Sequence, residues 1–150
     1  MKHKYLVLIS VFVVCLYSCK KETQPPPSAG TLLIGKWYSV KQVSVLYQNN
    51  KEISTFNKTS FTNDDFIEYY NDGSGYYSKS TNQGPSLSEF TYTIKGSTIT
   101  QYTSAENSGI PETIESITST GLAVHVVQLV ADPNDPTVTD TEVDDLTYSK

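Results

Sequence analysis

Nine short runs rich in Val, Ile, Thr, Tyr and Phe, separated by clusters of Gly, Asn, Asp and Ser, constrain this chain more than any other feature. Branched and aromatic side chains suit a pleated, half-buried surface, and the small polar clusters suit turns. The runs read as strands near 36–47, 51–56, 64–71, 75–80, 89–95, 98–103, 112–119, 122–130 and 142–149. From Leu32 onward no segment has the period of a long amphipathic helix.

Phe90, Tyr92 and Ile94 fall on one face and Thr91 and Thr93 on the other, the period of a half-buried antiparallel strand. Leu122 to Val130 is apolar on both faces apart from His125 and Gln128, which predicts a central strand. Asn71-Asp72-Gly73-Ser74-Gly75 predicts a hairpin turn, because glycine adopts positive φ at little cost. Lys95-Gly96-Ser97 and Ser119-Thr120-Gly121 predict tight turns of the same kind. Asp132-Pro133-Asn134-Asp135-Pro136 predicts a loop, since two prolines in five residues interrupt any ladder. The expected fold is all-β: an antiparallel up-and-down meander closing into a barrel of about eight strands, or a β-sandwich.

Residues 1–18 stand apart. Two lysines and a histidine precede an apolar run from Tyr5 to Tyr17 broken by Ser10. That run is shorter than the roughly 20 residues a membrane-spanning helix needs, and it reads as a secretory signal. It ends Leu16-Tyr17-Ser18-Cys19, which resembles the lipobox of bacterial lipoproteins. The resemblance implies cleavage before Cys19, a diacylglycerol on its sulfur and acylation of the new amine. Two or more chains anchor stably, at about 0.8 kcal/mol per buried CH₂. Lys20 to Thr31, with Pro25-Pro26-Pro27 and Ser28-Ala29-Gly30, reads as a tether, so residues 19–31 form an anchor and spacer and residues 32–150 a single domain. Cys15 leaves with the signal and Cys19 is lipidated, so that domain has no thiol and no disulfide.

Leu32-Leu33-Ile34 followed by Gly35-Lys36-Trp37 resembles the Gly-x-Trp opening of lipocalins and of the lipocalin-like domains of small Gram-negative lipoproteins. The resemblance continues loosely through the Tyr69–Gly73 turn region, Phe90-x-Tyr92-x-Ile94, the segment 114–126 and Leu146-x-Tyr148. It implies a barrel closed at one end by Trp37, with a basic residue packed over that ring. The chain has no arginine, so a lysine such as Lys150 must take that place.

Composition narrows the function. The formal charge is −5, and removing Lys2 and Lys4 with the signal leaves nine lysines against sixteen acids. A nucleic-acid partner, which needs a clustered basic surface, is not expected. His125 is the single histidine outside the signal, which argues against both a zinc site and a Ser-His-Asp hydrolase, so no metal, cofactor or catalytic residue is assigned. Asp64-Asp65 offers two carboxylates as a glycosidase pair would, but acids are frequent on any solvated surface, and no such role is assigned. The acids Asp132, Asp135, Asp140, Glu142, Asp144 and Asp145 read as a solvated, self-repelling face without calcium-loop spacing. Tyr69-Tyr70 and Tyr76-Tyr77 flank one turn, so each pair directs one ring to either face, as cross-strand aromatic pairs or as sugar-stacking surfaces.

The expected role is a non-enzymatic binding domain for a small apolar molecule or a glycan, held by Cys19 to the membrane of the bacterial envelope, at the outer membrane. Candidate ligand contacts are Trp37, Tyr69, Tyr92 and His125. The alternative is an accessory subunit docked on another envelope protein. From Cys19 onward, 28 of 132 residues are Leu, Ile, Val or Phe, about 21%, near the roughly 20% below which chains tend to stay disordered. A narrow polar-rimmed pocket or a filled barrel therefore fits this composition better than a large apolar cavity. Cys19→Ser is expected to leave an unlipidated, uncleaved precursor. Intact mass and membrane fractionation check this, and a variant indistinguishable from wild type in both would refute it.

Overall fold

The computed structural model describes residues 28–103, 108–132 and 138–150. The signal, Cys19, most of the tether and the prolines of the 132–136 loop lie outside the described residues. One helix, α1 (Ala29–Leu33), precedes nine strands: β1 (Gly35–Gln48), β2 (Lys51–Lys58), β3 (Phe66–Tyr69), β4 (Ser74–Thr81), β5 (Gly84–Lys95), β6 (Thr98–Thr103), β7 (Ile110–Ile117), β8 (Gly121–Ala131) and β9 (Thr139–Ser149).

Every strand pairing is antiparallel. The sheet runs β1-β3-β4-β5-β6-β7-β8-β9 and returns to β1, closing an eight-stranded barrel with β2 as an extra strand. Closure rests on β1, which bonds β9 along one edge from Tyr38 to Tyr47. Its other edge is shared: Gly35–Tyr38 pair with β3 and Gln42–Gln48 with β2. Residues 59–65 step between these two partners. Asp65 fixes the step by accepting from the Thr62 amide at 2.8 Å and the Ser80 amide at 3.0 Å. The β1–β2 connection is the two-residue turn Asn49-Asn50, with φ of 53° and 62°. Asparagine tolerates this left-handed conformation better than other side-chain-bearing residues, and such turns match the twist of paired strands.

The expected strands are present, with shifted ends. β6 occupies 98–103 as read from the sequence. β3 is shorter than 64–71, because Asp65 serves the connecting step and Tyr70 enters the turn. β5 starts at Gly84 instead of 89, since the hairpin with β4 imposes the ladder on polar residues. Pro85 is tolerated there because β5 meets β6 only from Phe90 onward, leaving it on an edge.

The alternation of side chains sorts the residues between interior and surface. Trp37, Ile67, Tyr69, Phe90, Ile99, Ile114, Leu122, Val124 and Tyr148 form the buried core, with Tyr92 and Ile94 packed against it. The core fills the end of the barrel that carries α1 and the tight turns. Tyr69 meets Phe90 and Tyr92 edge to face, at centroid separations of 5.6 and 5.1 Å. Tyr70 and Tyr76 pair across the turn at 5.8 Å, so these neighbours act as a cross-strand aromatic pair. β8 is central as expected along its first half, but its outer face carries Val127 and Leu129, 49% and 74% exposed.

The acidic C-terminal third is not one solvated face. Asp140 and Asp144 are buried, and Asp144 accepts from the Ser44 hydroxyl. A strand sends alternate residues to opposite faces, so Asp140, Glu142 and Asp144 share the inner side whereas Asp145 faces out.

Helix α1 plugs the filled end, and takes in residues that the sequence assigns to the tether. Leu33 is fully buried, and its carbonyl accepts from Trp37 Nε1 at 2.6 Å. Lys150 Nζ donates to the carbonyls of Leu32 at 3.0 Å and Ile34 at 2.9 Å. It also lies 4.3 Å from the centre of the Trp37 ring, the place that the resemblance to lipocalins gives to a basic residue. A cation here satisfies carbonyls left open at the helix end and gains from the ring face. Lys150→Ala is expected to cost about 1–2 kcal/mol in denaturant unfolding, with faster amide exchange in α1. Unchanged stability and unchanged exchange would show that the plug does not depend on this contact.

Candidate functional site

The inner faces of the strands change chemistry halfway along the barrel. On β6 the inward series runs Ile99, Gln101; on β7, Ile114, Glu112, Ile110; on β8, Leu122, Val124, Val126, Gln128. The polar members lie together above the aromatic core. They line a cavity of about 650 Å³ together with Phe56, Lys58, Asp65, Ile67, Tyr77, Lys79, Leu146 and Tyr148. This volume lies within the roughly 300–1,000 Å³ of small-molecule sites. The wall is amphipathic: aromatic and aliphatic groups alternate with amides, a carboxyl and phenols.

Glu112 is the most perturbed acid in the cavity. Burial pushes its carboxyl up to about 7, against a weaker opposing hydrogen bond from Gln101. Gln101 Nε2 also donates to the Tyr69 hydroxyl at 3.0 Å. Tyr69 and Tyr148 are both held well above the ordinary tyrosine range, first by burial and then by the nearby Glu112. The cavity thus holds a carboxyl that exchanges its proton near neutrality, amides that donate and accept, and phenols that stay protonated.

The rim carries Lys41, Lys58 and Lys79, and Lys58 is paired with Asp65. Lys58 Nζ lies 3.8 Å from Asp65 Oδ1 and 4.3 Å from the centre of the Phe61 ring. Burial acts to raise the Asp65 pKa, but hydrogen bonds from Thr62 and Ser80, with the Lys58 charge, outweigh it and hold the carboxyl below its usual range. Asp65 therefore stays ionised and structural.

The four residues proposed from the sequence lie in different places. Trp37 is fully buried in the plug. Tyr69 lies below the cavity, joined to it through Gln101. Tyr92 packs within the core and its hydroxyl donates to the Tyr70 carbonyl at 2.8 Å. His125 is on the outer surface, 2.7 Å from Asp145. Tyr69 and Tyr92 are in ring contact, while His125 is separated from the interior by the sheet itself. Asp64 and Asp65 diverge too: Asp64 is exposed and Asp65 is buried in its hydrogen bonds.

The sequence marks Tyr77 only as one of an aromatic pair, and it does not single out the cavity residues Gln101, Glu112 and Gln128. A signal was present: each continues an inward period-two series in which an apolar residue gives way to a polar one. Reading it requires knowing which face is inward at each strand, and the bulge between Ile114 and Ser116 resets that count on β7.

No protein-family model matches the chain, and no curated protein matches it in sequence. The class the fold defines is a closed eight-stranded antiparallel barrel with one extra strand, consistent with a lipocalin-like build.

Glu112 makes stability depend on pH. Its pKa rises from 4.5 to about 7 on folding, so the folded protein retains a proton that the unfolded chain releases. The associated stabilisation is complete below pH 4.5 and is lost as the pH rises through about 7. Glu112→Gln removes this dependence. The variant is expected to match wild type near pH 4 and to exceed it at pH 8 by on the order of 2–3 kcal/mol in urea unfolding. Parallel stability curves across this range would place the Glu112 carboxyl in contact with solvent.

Proposed function

We propose that this chain is a lipid-anchored bacterial envelope lipoprotein whose lipocalin-like barrel binds a small amphipathic molecule in the cavity above its core. The observation that carries this reading is the half-filled barrel: one end sealed by α1 and aromatic rings, the other holding about 650 Å³ lined by both apolar and hydrogen-bonding groups. The alternation suits a ligand with an apolar face and several hydroxyl or amine groups, such as a sugar or a compact hydroxylated lipid fragment. Glu112, Gln101 and Gln128 would satisfy its polar atoms while Phe56, Ile67 and Leu146 cover its apolar face. This is a binding role, not an enzymatic one, with no nucleic-acid partner. The signal-like N-terminus would direct export, and lipidated Cys19 would hold the barrel at the outer membrane of the envelope.

A second reading, an accessory subunit docked on an envelope protein, draws on the sheet surface. Val127 and Leu129 lie on the part of β8 that extends past its pairing with β7, and both are exposed.

Native mass spectrometry of the detergent-released full chain tests the first reading. A retained small molecule is expected in wild type and is expected to be lost in Leu146→Trp, which fills the cavity. The variant's far-ultraviolet circular dichroism would confirm its fold, and Gln128→Leu serves as a second, milder block. Equal retention by wild type and both folded variants, or no retention and no binding to a panel of sugars and fatty acids, would overturn the reading.

A further inference from the structure

Outside the barrel, three side chains from three neighbouring strands converge. Glu115 of β7, His125 of β8 and Asp145 of β9 each present a ligand-type atom, and these atoms lie within 4.8 Å of one another. We infer that Glu115, His125 and Asp145 form a surface site for a borderline divalent transition-metal ion of the zinc class.

The strand geometry explains the convergence. His125 stands directly opposite Asp145 across the β8–β9 ladder and opposite Thr113 across β7–β8. In a regular ladder Glu115 would pair with Ala123, one position along. A bulge intervenes: Ile114 pairs with Val124 and Ser116 with Ala123, so Glu115 is the extra residue. A bulge re-aims the side chain it carries and often does so next to functional sites. Here it brings a carboxylate towards an imidazole that already meets another carboxylate at 2.7 Å.

The donor set selects the ion. One imidazole and two carboxylates suit zinc-like ions, whereas calcium and magnesium take oxygen ligands alone. Bonds of about 2.0–2.2 Å in a tetrahedron place neighbouring ligands about 3.4 Å apart. Rotation of the two exposed carboxylates closes the remaining distance. Three protein ligands leave one position for water or for a group from another molecule. Among the described residues no lysine forms an ion pair with Glu115 or Asp145, and of the two carboxylates only Asp145 pairs with the imidazole. A divalent cation balances them.

Counting histidines argued against such a site, because the usual zinc centre draws several ligands from His or Cys. The count does not register two acids brought to one histidine by the register of three strands.

The test uses the full chain carrying His3→Ala, Cys15→Ser and Cys19→Ser, so that N-terminal donors contribute nothing. Zinc is titrated by calorimetry, and cobalt(II) is followed by its visible absorption. One ion per chain with micromolar affinity is expected, with cobalt bands of a site containing nitrogen. His125→Ala is expected to abolish saturable binding, and Glu115→Gln and Asp145→Asn each to weaken it at least tenfold. All three positions face outward, so circular dichroism should show an unchanged barrel. Absence of saturable zinc binding at 100 µM in about physiological salt, or equal binding by His125→Ala, would overturn the inference.

Discussion

The whole architecture depends on β1 carrying main-chain hydrogen bonds on both edges. Its pairing with β9 closes the barrel, and on the opposite edge it hands over from β3 to β2. A closed sheet removes most of the exposed edges that make β proteins aggregate. It also allows a chain poor in aliphatic residues to enclose a core, because a barrel buries one face of every strand around one axis. The register shift between Ser39 and Lys41 lets this long strand serve both partners. Break the β1–β9 ladder and the aromatic interior opens to water along its full length.

Within that frame, scarcity of apolar side chains divides the barrel in two. The end near α1 is filled by Trp37, Tyr69, Phe90 and Tyr148, large rings that compensate for few Leu and Ile residues. The supply runs out further along the strands, where Gln101, Glu112 and Gln128 continue the inward series. A polar interior cannot collapse to a dry core without stranding hydrogen-bonding groups, so it remains as a cavity. The raised pKa of Glu112 is a direct consequence of placing a carboxyl at this boundary. The same scarcity of apolar side chains is thus what leaves the cavity.

The outer surface follows a separate logic. Each inward residue fixes the outward orientation of its neighbours, so Leu122, Val124 and Val126 facing in place His125 outside. Asp145 is turned outward by Asp144 and Leu146 in the same way. The metal site is therefore a by-product of the core pattern on two strands and of a bulge on the third.

The resemblance to lipocalins supplied the lysine over Trp37, whereas strand positions, the turns at Gly73 and Gly96, and the inward face of Phe90, Tyr92 and Ile94 were legible from local pattern. These features depend on neighbours two to five residues apart or on one unusual residue type. The outward placement of His125, the inward turn of Asp140 and Asp144 and the set of residues lining the cavity were not legible. They turn on which residues share the inside of a closed sheet, and contacts such as Lys150 with Leu32 or Gln101 with Tyr69 join positions far apart in the chain. Local chemistry decided that this chain is a set of twisted strands with a sealed aromatic end. Barrel closure, strand register and the bulge on β7 decided which polar side chains meet, because a shift of one residue in a strand exchanges its inner and outer faces.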